Sequence, residues 1–362
     1  MLVLSACGLP RSGPSFREVQ APADETALPF EVVSVTDSVA RLSTKDEALA
    51  FEDRFLRAAP EDVNLIGAGD SLSITVWENT EIGVLTGLGQ KFALLQETQV
   101  DLTGYIFMPY VGRILAAGKS PETLRRIITD GLRDQTPDPQ VEVRRVVTGS
   151  ATVSVIGSVS APGVYPLEAQ TRRLLPMLSK AGGVNIEPEV TMVTLRRGTA
   201  SGQIWLQDLF DNPDFNVALQ MGDAIIVERD RRSFTALGAL GNQQRVPFPT
   251  RNISAIEAMG LVGGLSSQIA NPSGIFVFRA EEPMIANQVL PDRQFAEPVR
   301  IVYLIDLTKP AGMFTAANFR IRNGDVVYVT EAPFVQFTKV LSSVAPFINF
   351  AGSVSNLSRI GQ

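Results

Sequence analysis

Alternation of apolar and polar residues gives the first clear prediction along this chain. Between Leu72 and Val76 every second side chain is apolar, with Ser73 and Thr75 in between. This is the pattern of a half-buried β-strand, and the preceding Gly69-Asp70 pair is typical of a turn. We therefore predict that a folded domain opens at this strand.

A helical period follows in KSPETLRRIITDGLRD. Ser120 is placed to cap the helix, Pro121 suits its first position, and Leu124, Ile127 and Ile128 share one face. GYIFMPYVGRI before this helix predicts a second strand with a turn at Gly112, and PQVEVRRVV after it predicts a returning strand. Strands and a helix in one region predict an α+β domain.

A long internal repeat decides the architecture of the rest. The copies are TVSVIGSVSAPGVYPLEAQTRRLLPMLSKAGGV and SFTALGALGNQQRVPFPTRNISAIEAMGLVGGL. Each predicts a strand, a glycine turn, a second strand ending near a proline, and a short helix closed by a glycine pair. The pairs Gly182-Gly183 and Gly263-Gly264 predict helix C-caps, since glycine enters the left-handed region without strain. The second copy has an insertion, EEPMIANQVLPDRQFAEPV.

Three strands begin directly after Gly-Asp, with the carboxylates of Asp70, Asp223 and Asp325. They could form a catalytic set. The favoured interpretation is structural, because Asp after Gly readily bonds to the local backbone before an apolar strand.

The amino-acid composition narrows the range of possible functions. Apolar residues make up 45% and charged residues 19% of the 362, and the net charge of -6 gives no reason to expect nucleic acid as a partner. The absence of histidine excludes Ser-His and Cys-His nucleophiles and His-bearing zinc sites. There is also no Walker or dinucleotide-binding glycine motif, so an enzyme would have to use carboxylates or lysine. Our overall prediction is a protein that is not an enzyme and has no cofactor or metal.

The lone cysteine, Cys7, cannot form an internal disulfide and is either an ordinary thiol or a modification site. Leu4-Ser5-Ala6-Cys7 resembles the lipobox of bacterial lipoproteins, which implies acylation of Cys7. The apolar run before it is shorter than the ~7–15 residues of a signal peptide, so we expect the start to lie upstream or the chain to be trimmed.

The C-terminal segment VLSSVAPFINFAGSVSNLS, residues 340–358, is uncharged yet contains serine, asparagine and proline. When residues 334–358 are placed on a helix, five polar residues fall in one narrow arc: Thr338, Ser342, Asn349, Ser353 and Asn356. Ser343, Ser355 and Ser358 depart from this pattern. Apolar residues occupy most of the remaining surface: Phe337, Val340, Leu341, Val344, Phe347, Ile348, Phe350, Ala351 and Val354. This predicts a membrane helix whose polar arc lines a pore and whose apolar face meets lipid. A helix packed on the last domain and a surface-lying amphipathic helix are the alternatives.

Four motifs of the first domain, taken in order, resemble the polysaccharide export domain of outer-membrane polysaccharide export lipoproteins. They are GAGDSLSITVWEN, GYIFMPYVGRI, SPETLRRIITDGLRD and PQVEVRRV. The units of the form GSVSAPGVYPL and LLPMLSKAGGV resemble the soluble-ligand-binding β-grasp domains that follow it in that family. We accordingly divide the chain into a signal remnant (1–7), an N-terminal arm (8–59), the export domain (60–149), two β-grasp domains (150–232 and 233–332) and a C-terminal membrane helix (333–362).

The resemblance implies an outer-membrane, lipid-anchored channel that exports capsular or extracellular polysaccharide, with most of the chain in the periplasm. It also implies a ring-shaped homo-oligomer, an octamer in that family, and an inner-membrane polysaccharide copolymerase or tyrosine autokinase as partner. Three other functions stay open: a periplasmic carbohydrate-binding module without a pore, a glycan-modifying enzyme using Asp223 or Asp325, and DNA uptake. The acidic balance disfavours the last.

Overall fold

The computed structural model describes residues 13–21, 29–45, 49–60, 62, 64–80, 83–87, 90–147 and 149–335. The chain divides into two units. Met1–Glu47 and Arg231–Gln362 together form one, here called the outer unit, and Ala48–Asp230 forms the other, the inserted unit. Helices and strands occur together in both, which confirms the predicted α+β class.

The N-terminal elements are short. They are α1 (Phe16–Gln20), β1 (Glu31–Ser34), α2 (Asp37–Leu42) and α3 (Asp53–Leu56). The export region of the inserted unit contains β2 (Ser71–Trp77), β3 (Phe92–Gln99), β4 (Tyr105–Met108), β5 (Gly112–Leu115), α4 (Pro121–Leu132) and β6 (Gln140–Val147). Strand β2 lies between β3 and β6 in an antiparallel sheet, and β4 pairs with β5 as a hairpin.

Local sequence signals predicted much of this region. Leu72, Ile74 and Val76 are all buried on β2, which confirms the alternating pattern. The hydroxyl of Ser120 accepts a hydrogen bond from the backbone N–H of Thr123 at 3.1 Å, confirming the helix cap. Strand β3 was missed, and the single strand predicted in GYIFMPYVGRI is in fact the β4–β5 hairpin, whose second strand begins at Gly112.

The first repeat copy folds as β7 (Thr152–Gly157), β8 (Gly163–Pro166), α5 (Leu174–Lys180), β9 (Thr191–Arg197), β10 (Ala200–Trp205), α6 (Leu206–Asp211) and β11 (Ala224–Arg229). Short 3₁₀ turns lie at Pro188–Val190 and Pro213–Phe215. The strand order is β10-β9-β11-β7-β8, with β11 parallel to β7 and the other pairs antiparallel. Phe51 and Phe55, at the start of the inserted unit, pack into the hydrophobic core of this sheet.

The second copy folds as β12 (Ser233–Gly238), β13 (Gln244–Pro247), β14 (Ile253–Ser254), α7 (Ala255–Leu261), β15 (Ala270–Glu281), α8 (Pro283–Val289), β16 (Val299–Ile305), α9 (Pro310–Asn318), β17 (Arg320–Ile321) and β18 (Val326–Glu331). Its main sheet has the order β1-β16-β15-β18-β12-β13, and β14 pairs with β17. Apart from β1, this order matches the first copy strand for strand, so the predicted repeat is confirmed. The predicted insertion forms α8 and its flanking loops between β15 and β16.

The glycine pairs end the helices of both copies. The N–H of Gly183 donates to the carbonyl of Leu178, and the N–H of Gly264 donates to that of Met259. Both pairs have positive φ angles, between 75° and 86°. The predicted C-caps are therefore confirmed.

The N-terminal segment, here the described residues 13–21 and 29–45, is built into the second copy, which the prediction of an arm at 8–59 did not anticipate. Strand β1 pairs in parallel with β16, so it extends the sheet at its edge. Phe16 of α1 packs against Phe276 on one face, while Ala40 of α2 lies in the main core. A short strand and two short helices are not stable alone, and this tertiary packing fixes them.

Candidate functional site

The residues predicted to attach the chain to a membrane and to line a pore lie outside the described residues. They are Cys7, the polar-arc residues Thr338, Ser342, Asn349, Ser353 and Asn356, and the apolar residues Phe337, Val340, Val344, Phe347, Phe350 and Val354. Within the described ranges, no helix is both long enough and apolar enough to cross a bilayer. Lipidation, the membrane helix and the pore therefore stay predictions.

The three Gly-Asp carboxylates have the structural role that was favoured from the sequence. Asp70, Asp223 and Asp325 are each at most 1% exposed. Each accepts the backbone N–H of the residue three positions earlier, at 2.8–2.9 Å, which closes the turn before its strand. Among the described residues, no group of three or more Cys, Asp or Glu side chains is placed to hold a metal ion.

Arginines that the sequence analysis did not single out complete two of these turns. Arg197 on β9 donates to both carboxylate oxygens of Asp223, at 2.9 and 2.7 Å. Arg279 on β15 makes the same pair of bonds to Asp325, at 2.9 and 2.7 Å. Bidentate pairing satisfies charges that would otherwise be costly to bury. Arg197 and Arg279 lie at equivalent positions of the two repeat copies, and this recurrence was the sequence signal that could have revealed the two arginine–aspartate pairs.

The second copy adds another ion pair beside Arg279. Glu281, which is fully buried, accepts hydrogen bonds from the hydroxyl of Tyr303 at 2.7 Å and from Arg322 at 2.8 Å. Burial and the Glu281 carboxylate raise the pKa of Tyr303, so its hydroxyl stays a donor. Burial and the neighbouring Arg279 lower the pKa of Arg322, and Glu281 only partly offsets them. Two arginines and two carboxylates, counting Asp325, thus form a buried cluster of balanced charge.

Protonation of Arg279 is secured by its partners. Burial alone would lower the pKa of its guanidinium, but hydrogen bonding to Asp325 and the charges of Asp325 and Glu281 outweigh it and raise the pKa. At the positions of the first copy that correspond to Glu281 and Arg322, the chain has Thr199 and Gln220. The additional pair is therefore particular to the second copy.

This additional pair also joins the N-terminal segment to the second copy. Arg322 donates to the backbone carbonyl of Ser43, just after α2. Close by, Lys45 forms a salt bridge with Glu282 at 2.6 Å, with both side chains largely exposed. A hydrogen bond from a partly buried arginine and an exposed salt bridge thus hold the end of the segment against the second copy.

A cavity of about 440 Å³ opens where the N-terminal segment meets the second copy. Nine of its ten lining residues are polar or charged, and five are cationic: Arg41, Lys45, Arg232, Arg320 and Arg322. No carboxylate is part of this described lining. We call it the cationic cavity. The sequence analysis missed it because its residues come from widely separated parts of the chain.

Comparison with known proteins supports the domain resemblance. The family model described as polysaccharide biosynthesis/export protein matches residues 58–146, the region of β2 to β6 and α4. The model described as SLBB domain matches residues 151–227, which span most of the first repeat copy. Both matches follow the order of domains expected from the sequence.

Curated relatives are similar over nearly the whole chain. The capsule polysaccharide export outer membrane protein CtrA of Neisseria meningitidis serogroup A is 31% identical, covering 99% of this chain and 97% of that protein. The capsule polysaccharide export protein BexD of Haemophilus influenzae is also 31% identical, covering 99% and 96%. The Vi polysaccharide export protein VexA/TviF of Salmonella typhi is 28% identical, covering 96% and 95%. With its export domain matched and its full length shared with such relatives, this chain belongs to the family of outer-membrane capsule and polysaccharide export proteins.

Proposed function

We propose that this chain carries capsular or extracellular polysaccharide from the periplasm to the cell surface, as a ring-shaped homo-oligomer in the outer membrane. The observation that carries the proposal is the similarity to export proteins over 99% of the chain, which includes nearly all of the uncharged C-terminal segment. Transport in this proposal is conduction through a pore, without a catalytic step. An inner-membrane copolymerase or tyrosine autokinase would deliver the glycan to the periplasmic end.

Both predicted membrane attachments extend from the outer unit. The hydroxyl of Tyr328, on the last strand β18, donates to the carbonyl of Pro14 at 2.8 Å, so the N-terminal segment passes close to that strand. Cys7 lies less than about 25 Å of extended chain before Gly13. The described chain ends at Val335, shortly after β18. A lipid anchor on Cys7 and a C-terminal helix could therefore enter the same membrane.

The proposed pore follows from the cost of polar groups in lipid. Each unpaired polar group in hydrocarbon costs several kcal/mol, so a lone helix with the polar arc from Thr338 to Asn356 would be unfavourable there. In a ring of such helices, every arc faces a water-filled lumen. Pro346 leaves the carbonyl of Ser342 without its helical partner, and Ser342 lies on the arc, where lumen water can bond to it. Uncharged lumen side chains suit a hydrated polysaccharide.

The export function is tested by deleting the gene in the native strain. We expect surface polysaccharide, measured with a glycan-specific antibody on intact cells, to fall to background while glycan accumulates inside. Expression of the full chain in the deletion strain should restore it. Normal surface polysaccharide in the deletion strain would contradict the proposal.

Single cysteine substitutions test the pore. We expect a membrane-impermeant maleimide, applied to intact cells that retain Cys7, to label cysteines at Thr338, Ser342, Asn349, Ser353 and Asn356. Cysteines at Val340, Val344, Phe347, Phe350 and Val354 should stay unlabelled, because lipid covers them.

The control is Phe314→Cys in the outer unit, whose native side chain is 73% exposed. Our proposal puts the outer unit in the periplasm, so this cysteine should be labelled only after the outer membrane is permeabilised. If the polar arc behaves like Phe314→Cys, the tail is a periplasmic helix and the pore model is wrong. A monomer in native mass spectrometry of the solubilised protein would favour a binding module without a pore.

A further inference from the structure

The cationic cavity concentrates positive charge against the balance of the whole chain. The protein has a net charge of -6, yet the cavity lining carries five cations and no carboxylate among the described residues. Local charge of this kind raises the concentration of anions at a cleft, whatever the net charge of the protein. The positive charge of the cavity is therefore a local feature, because the protein as a whole has more acidic than basic residues.

The partners of these cations differ. Lys45 pairs with Glu282 and Arg322 with Glu281, so their charges are largely balanced. Arg232 donates a hydrogen bond to the backbone carbonyl of Arg251. Arg41 and Arg320, both exposed, form no salt bridge with any described residue, although hydrogen bonds from Ser254 and the charge of Arg320 lower the pKa of Glu257. These two guanidinium groups make no direct contact with a described carboxylate and can form one with an incoming anion.

The rest of the lining offers neutral hydrogen-bonding groups. The carboxamides of Asn252 and Asn318 both donate and accept. The carboxamide oxygen of Asn323 already accepts the N–H of Ser233, which leaves its NH₂ group as a donor, and the hydroxyl of Thr44 donates to the carbonyl of Ala40, which leaves its oxygen as an acceptor. Sugar hydroxyls also donate and accept, so carboxamides match them well, while arginine matches a carboxylate with two parallel bonds. A volume of about 440 Å³ lies within the range of small-molecule sites.

We infer that the cationic cavity binds acidic sugar residues of the transported polysaccharide, with Arg41 and Arg320 holding the carboxylate and the asparagines holding the hydroxyls. This inference rests on the proposed function and adds the class of glycan to it. Nucleotides fit less well, since the ten lining residues include no aromatic side chain on which a base could stack. A lipid fits less well because Ile321 is the only apolar residue among the described lining residues, which leaves little surface to cover an acyl chain.

The test is isothermal titration of the detergent-solubilised full-length protein with a galacturonic acid hexasaccharide, and with maltohexaose as a neutral sugar of equal length. The double variant Arg41→Gln/Arg320→Gln removes both available cations. We expect its dissociation constant for the acidic sugar to rise about tenfold or more. Maltohexaose should bind measurably to neither protein, and binding of the acidic sugar should weaken with added salt.

Arg300→Gln is the matched control, because Arg300 is an exposed arginine of the outer unit that does not line this cavity. It should leave the affinity within about twofold. The variant Arg41→Lys/Arg320→Lys keeps both positive charges but cannot form bidentate hydrogen bonds to a carboxylate. We expect its affinity for the acidic sugar to lie between those of the parent and the Gln double variant. Circular dichroism melting curves that coincide with those of the parent establish that the exposed substitutions leave the fold intact.

Equal binding of the acidic sugar by the parent and the Gln double variant would overturn the inference, as would an equal loss in Arg300→Gln. Binding to phosphatidylglycerol vesicles without binding to the hexasaccharide would also overturn it, in favour of a lipid site. If the chain restores surface polysaccharide in cells but does not bind the acidic sugar, the cavity inference fails while the export function stands. If deletion leaves surface polysaccharide normal, the export function itself fails.

Discussion

Replacing Arg279 with methionine is expected to destabilise the outer unit by about 3–5 kcal/mol. Methionine fills much of the same space but leaves the buried carboxylate of Asp325 without its bidentate partner. Glu281 would also lose a cation at 3.3 Å. Neither carboxylate has access to water, since Asp325 is 1% exposed and Glu281 is fully buried.

Hydrogen-exchange mass spectrometry of peptides from β15, β16 and β18 measures this loss as faster exchange. Both tryptophans of the chain, Trp77 and Trp205, lie in the inserted unit, so tryptophan fluorescence should report an unchanged transition there. Arg300→Met removes an exposed cation from β16 and should leave exchange unchanged. The double variant Arg279→Met/Asp325→Asn restores the charge balance, and we expect it to exchange more slowly than Arg279→Met. Equal exchange in the parent and Arg279→Met would show that the pair does not stabilise the fold.

Replacing Gly157 with alanine is expected to destabilise the inserted unit by about 2–5 kcal/mol. Gly157 has a φ of 97°, and an added Cβ would overlap the backbone carbonyl oxygen of Val227 on β11. That oxygen also accepts the N–H of Ser158 at 2.8 Å, so moving it away would break a bond between parallel strands. The urea midpoint followed by tryptophan fluorescence measures the change.

Gly183→Ala separates the two causes of this loss. Gly183 has a φ of 80°, but nothing lies within 4 Å of a Cβ added there. It should therefore incur only the cost of the left-handed conformation, about 1–2 kcal/mol. If both alanine variants lose the same stability, the approach of Val227 to Gly157 contributes nothing.

Elements with local signals were predictable from the sequence. The alternation from Leu72 to Val76 and the capped helix after Ser120 depend on neighbours within a few residues. The repeat was predictable because one pattern of glycines occurs twice. Strand β1 was not, because Glu31–Ser34 is too short to show a period and is stabilised by a strand far along the chain.

The same distinction applies to the functional residues. The turn role of Asp325 follows from its own local sequence, but its pairing with Arg279 depends on the register of β15 against β18. The cationic cavity gathers Arg41, Arg232 and Arg320 from separate regions. The spacing of residues along the chain does not show which distant residues come into contact, because the tertiary structure determines these contacts.

The parallel pairing of β1 with β16 has a consequence for synthesis of the protein. Glu31 leaves the ribosome early, but its partner Ile301 follows about 270 residues later. The inserted unit is complete before β16 exists, so it can fold while β1 is still unpaired. An unpaired strand is a site for wrong association, and the segment following Cys7 must therefore be kept from aggregating until the C-terminal half arrives. Chains truncated before β16 cannot complete the outer unit, which couples its assembly to full-length translation.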